Sequence, residues 1–126
     1  TFEEASRDNK TPTDTITGWI QVHATHYIML QKLAKVSLDY ATTHEREDRP
    51  DQAIQRSYQK EFEILDSAIE AGMESGEFRP VEARQISIFI STFLDGCLFR
   101  SFMFPDFDYR QSIDDLVDII LCHLKA

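Results

Sequence analysis

Residues 68–104 read AIEAGMESGEFRPVEARQISIFISTFLDGCLFRSFMF, and this stretch decides the fold. It joins the end of one helix, a tight turn and a second helix that is apolar on nearly all sides. Gly76 follows a long amphipathic run and can take the left-handed backbone conformation that closes a helix. Phe78 lies two residues on, placed to fold back onto the last turn. Pro80 fixes its own φ and biases Arg79 away from helix, so the turn ends there. Residues 81–104 then read as one helix buried on two faces.

Working outward, residues 52–75 carry Ile54, Tyr58, Phe62, Leu65, Ala68, Ile69 and Met73 on one side, with a solvated face of Gln, Arg, Lys and Glu opposite. Gly72 inside the last turns costs roughly 1 kcal/mol against Ala, which close packing against a neighbouring helix would justify. Pro50 suits the first turn of this helix. Further upstream, Ile16, Trp19, Ile20, His23, Tyr27, Leu30 and Ala34 form a helical stripe, capped by Thr13 or Asp14 and preceded by a polar connector that includes Pro12. The stripe drifts after Leu30, which predicts a break near residues 30–36 and a second helix to about His44. At the other end, residues 109–124 place Ile113, Leu116, Val117, Ile120 and Leu124 inward, with Ile119 and His123 pointing elsewhere. These elements predict an all-α fold: one domain over residues 1–126, a bundle of about five helices.

The helix over 81–104 divides into two apolar sectors at 100° per residue. One holds Ile86, Ile90, Phe93, Cys97 and Phe104; the other holds Ile88, Phe99 and Met103. One core cannot cover both, so the second sector requires another partner. Together with Ile119 and His123 it predicts a symmetric dimer, the two C-terminal helices of each copy forming a four-helix bundle. Gly96 lets helix backbones approach, Asp95 and Arg100 cap or pair across the interface, and Phe99 and Met103 anchor it. The competing arrangement packs Phe99 and Met103 under the 105–109 loop of their own chain.

Composition narrows the function. Of 126 residues, 42% are hydrophobic and 28% charged, as in an ordinary globular protein. A formal net charge of −9 argues against this segment gripping nucleic acid, which needs clustered Lys and Arg. No membrane span and no secretory signal is read. Cys97 and Cys122 read as reduced packing residues of a cytoplasmic protein. No nucleophile motif, phosphate loop, dinucleotide fingerprint or zinc-spaced Cys/His set is found, so no enzymatic activity and no cofactor is expected. His23 and His26, three residues apart, are the nearest approach to a metal pair, without a carboxylate or Cys at matching spacing. His23 itself has two readings: a core imidazole satisfied by a carbonyl or hydroxyl, or the polar anchor of a mostly apolar ligand cavity. Nine Phe, four Tyr and one Trp fill a helical core or line such a cavity equally well.

The turn Gly72-Met73…Gly76-Glu77-Phe78…Pro80-Val81-Glu82 and the following Leu94-Asp95-Gly96 resemble the C-terminal ligand-binding and dimerisation domain of the TetR family of bacterial regulators. The resemblance covers residues 50–124 well and 1–49 by helix order. It implies an effector cavity among the helices, lined by Trp19, His23, Tyr27, Tyr58, Phe62, Leu65, Ile90, Phe93 and Cys97. It also implies homodimerisation and a small apolar or aromatic effector, with DNA bound only through an N-terminal domain that these residues do not include. The function so implied is allosteric control of a transcriptional repressor. The alternative is a helical dimerisation or protein-interaction module with no small-molecule ligand.

Overall fold

A computed structural model describes residues 11–26 and 48–126, and among these it contains four helices. They are α1 (Pro12–Thr25), α2 (Asp48–Ser75), α3 (Ala83–Met103) and α4 (Tyr109–Leu124). The expected fifth helix, and Tyr27 with it, falls in residues 27–47, outside the described residues. The expected break at 30–36 lies outside the described residues as well; the described helix α1 ends at Thr25, where the His26 N–H still reaches the Val22 carbonyl.

Helix starts follow capping chemistry more closely than the sequence reading did. Thr11 caps α1, two residues before the expected cap: its hydroxyl accepts from the Asp14 N–H at 3.0 Å, and Pro12 stands in the first turn rather than in a connector. Asp108 caps α4 by accepting from the Gln111 N–H at 3.0 Å. α2 begins at Asp48, four residues before the expected start at Gln52, with Pro50 in its first turn. α3 begins at Ala83 after Glu82, which makes no side-chain cap bond.

α1 and α3 each pack on both α2 and α4, making a four-membered ring of helices. Ile16 and Ile20 of α1, Leu65 and Ile69 of α2, Ile90 and Leu94 of α3, and Ile113, Leu116 and Leu124 of α4 meet at its centre, all fully buried. Burying each such side chain contributes about 1.5–3 kcal/mol. The inner stripe expected for α4 is the one observed, with Ile119 exposed.

The turn after α2 has the expected conformation. Gly76 is at φ 80°, the left-handed region. Phe78 is buried, its N–H bonds the Gly72 carbonyl at 2.9 Å, and its ring lies where a Cβ on residue 72 would be. The close approach that Gly72 permits is therefore to this ring rather than to a neighbouring helix.

α3 needs two corrections. Phe104, expected in the buried sector, is 54% exposed just past the helix end. By length and composition α3 is also apolar enough to cross a membrane, with a mean hydropathy of 1.4 over 18 residues, where no such run was expected. Ser, Thr and Gly interrupt its apolar residues without lowering the average far. In the bundle a third of that window is buried.

Candidate functional site

Among the described residues, the polar groups of the bundle gather where α1, α2 and α3 meet. Four polar or charged residues are buried: His23, Glu61, Ser87 and Ser91. Glu61 is central. Its Oε2 accepts from the Trp19 indole N–H at 2.9 Å, and its carboxylate also bonds the Ser91 hydroxyl. The same Oε2 lies 3.9 Å from His23 Nε2. The other imidazole nitrogen, Nδ1, is 2.9 Å from the Trp19 carbonyl one turn back, and the Trp19 and His23 rings meet edge-on at 5.6 Å. That contact requires a proton on Nδ1, which turns Nε2 toward the acid.

A turn away, the Tyr58 hydroxyl donates to Asp95 Oδ2 at 2.5 Å. Still further along α2, Asp66 accepts from the fully buried Ser87 hydroxyl at 2.6 Å and from Arg84 at 2.8–2.9 Å, and the Arg84 guanidinium sits 5.0 Å above the Phe62 ring. Tyr58–Asp95, Glu61–Ser91 and Asp66–Ser87 form a ladder of polar rungs between antiparallel α2 and α3. The apolar core lies beside this seam.

The electrostatics follow from burial. Desolvation raises the Glu61 carboxyl above its ordinary value, against the bonds from Ser91 and Trp19 that favour the anion. Asp95 is raised by desolvation and by the nearby Glu61 charge, with the Tyr58 bond and His23 opposing. Burial lowers His23, partly offset by the Trp19 carbonyl and Asp95. Tyr58 is raised by burial and by Asp95, and burial lifts the Cys97 thiol to about 11. The site thus holds two carboxyls that resist ionisation around an imidazole that resists protonation. It suits holding a proton or orienting a polar group, and Cys97 is a packing thiol rather than a nucleophile.

Of the nine residues expected to line an effector cavity, Trp19, Leu65, Ile90 and Cys97 belong to one buried core cluster, and His23 is buried beside them. Phe93 packs partly buried against that cluster, Phe62 is half-buried, and Tyr58 is more exposed than expected, turned to Asp95. Glu61, Ser91 and Asp95 were missed in these roles. Glu61 looks like part of a solvated helix face, and Asp95 was assigned to the interface whereas it bonds Tyr58 of its own chain. The one available signal was a phase: Glu61 stands three residues after Tyr58 and four before Leu65, on the edge of the inward stripe. A groove of about 630 Å³ opens at another place, between Ala24, Ser101, the 105–108 connection, Tyr109 and Arg110. None of the nine residues is among those lining it.

The expected interface residues lie on the outside of the ring. Ile88, Phe99, Met103 and Ile119 are all exposed, Phe99 at 45% and Met103 at 54%. Gly96 and Arg100 lie on the same open side of α3, and no atom comes within 4 Å of a Cβ placed on Gly96. Phe99 and Met103 are therefore not covered by the 105–109 loop. His123 is exposed but engaged, with Arg79 Nη2 lying 2.8 and 3.0 Å from its two ring nitrogens. Both cysteines are free; Cys97 is buried as expected, whereas Cys122 is exposed.

Residues 15–110 match the family model described as tetracyclin repressor-like, C-terminal domain. The match takes in α1 from Thr15 onward, α2, α3 and the start of α4, and the chain belongs to this family. No curated protein and no solved structure matches it.

Proposed function

We propose that the chain is the effector-binding and dimerisation domain of a TetR-like transcriptional repressor, a single cytoplasmic domain that pairs with a second copy. Family membership supports this reading, and the observation that carries it to a ligand is the Trp19–Glu61–Ser91 junction with His23 at its side. Three helices converge there on polar groups set into an aromatic and aliphatic core, the composition of a site that orients a mostly apolar guest. A small apolar or aromatic effector enters beside Trp19, His23, Phe62, Leu65, Ile90, Phe93 and Cys97 by parting the polar α2–α3 seam. Seating it favours one relative arrangement of the two copies. That arrangement sets the spacing of DNA-reading heads, supplied by an N-terminal domain outside these residues. The dimer face is Ile88, Gly96, Phe99, Arg100, Met103, Ile119 and His123. No catalytic step and no cofactor enters this account.

One observation favours a second reading, a helical interaction module without a ligand. Trp19, Leu65, Ile90 and Cys97 are already packed against one another, while the open groove lies elsewhere.

Trp19, the one tryptophan of the chain, separates the two. Titration with N-phenyl-1-naphthylamine, an uncharged aromatic probe, is expected to quench Trp19 emission saturably by energy transfer. Phe93→Ala and Leu65→Ala should change the affinity. Linear, unsaturable quenching up to the probe's solubility would leave the interaction module as the better account.

A further inference from the structure

The four residues Gly76–Arg79 do more than end α2. Glu77 Oε2 accepts from both the backbone N–H (2.9 Å) and the hydroxyl (2.8 Å) of Thr13, in the first turn of α1. Phe78 is locked to α2 through Gly72 and forms an antiparallel bridge with Lys125 at the end of α4. The Arg79 N–H bonds the Leu124 carbonyl at 2.9 Å, and its Nε bonds the His123 carbonyl at 2.6 Å.

Each contact answers a need of a helix terminus. The first N–H groups of α1 and the last C=O groups of α4 have no partner within their own helices. Glu77 brings a negative charge to the positive end of α1, and Arg79 a positive charge to the negative end of α4. α1 already has its own cap in Thr11, which holds the Asp14 N–H. The Glu77 bonds therefore add a tie between elements 64 residues apart in sequence. Between Glu77 and Arg79 stands only Phe78, itself fixed at both ring and backbone, so the two ties share one short rigid lever.

We propose that the Gly76–Arg79 turn is a positioning joint that couples the C-terminal end of α4 to the N-terminal end of α1. The joint rests on the reading above for its use: α4 carries Ile119 and His123 of the subunit face, and α1 leads toward the N-terminal part of the chain. Movement at the face then reaches the start of α1 without crossing the core.

Amide hydrogen exchange on the 126-residue chain tests the joint with no effector present, so its failure leaves the effector reading untouched. The variants are Arg79→Met, Glu77→Gln and Thr13→Val. Arg79→Met is expected to speed exchange at Thr13 and Asp14 as well as at Lys125, by about fivefold or more at both ends, the lower limit of ordinary coupling. Glu77→Gln and Thr13→Val, altered at the α1 end, should speed exchange at Lys125 in turn. The Arg79→Met, Glu77→Gln double variant should be no faster at either end than the faster single. If each substitution loosens only its own helix end, the turn is two independent caps and the proposal is overturned. Thr13→Val keeps the Thr11 cap and nearly the same side-chain shape, so it decides the matter even if Arg79→Met unfolds the chain.

Discussion

At Gly72 two effects oppose each other, and their sizes decide the outcome of substitution. Alanine is favoured over glycine inside a helix by about 1 kcal/mol. Here, however, the added Cβ would overlap the Phe78 ring, whose backbone is pinned by the bond to the Gly72 carbonyl and the bridge to Lys125. Overpacking of this kind costs about 1–3 kcal/mol, so Gly72→Ala should lower stability by up to about 2 kcal/mol net. The urea midpoint measures it; an unchanged or higher midpoint would show that the ring swings away freely. The need for a glycine was legible in the sequence, because helix propensity makes an interior glycine conspicuous. Its partner was not, because contact with Phe78 depends on the path of the turn. Gly76 was fully legible, since its left-handed φ is a local demand that glycine meets without strain.

The element least legible was the α2–α3 seam. Periodicity finds stripes of apolar residues, and the contacts here are made by Glu61, Asp66, Ser87, Ser91 and Asp95, residue types that ordinarily mark solvent. The two apolar sectors read for α3 include none of its serines, yet Ser87 and Ser91 are among its most buried residues. This seam carries a pH dependence whose sign can be worked out. Glu61 has a raised pKa when folded, so its contribution to stability is fully present below about 4.5 and is lost as pH rises through the raised value. His23 has a lowered pKa, so its contribution is present above 6.5 and is lost as pH falls toward the lowered value. Glu61→Gln keeps an oxygen for the Trp19 N–H and removes the desolvated charge. Its melting temperature should exceed the wild type's at pH 7.5, the gap closing as pH falls toward 4.5. A lower melting temperature at pH 7.5 that recovers toward the wild type's as pH falls to 4.5 would mean that the carboxylate's own bonds outweigh its burial.

At the scale of the molecule, the four helices among the described residues bury one face each, a second apolar face of α3 is exposed, and Ile119 is exposed on α4. Ile88, Phe89, Phe99, Met103 and Ile119 stand in water in the single chain. The two-sector pattern of α3 made this face readable in advance, because sidedness survives in sequence even where contacts do not. The expectation of an effector cavity had much less in the sequence to rest on: a core and a pocket draw on the same aromatics, and the difference is a matter of volume. A symmetric partner covering the outer face would make the dimer an obligate part of the regulatory mechanism. Light scattering on the wild-type chain and on a Phe99→Asp, Met103→Asp double variant tests this most directly. The account predicts a wild-type mass of twice 14.6 kDa and a double variant that is monomeric yet helical. A wild type that stays monomeric at tens of micromolar would contradict the dimer and the allosteric mechanism built on it.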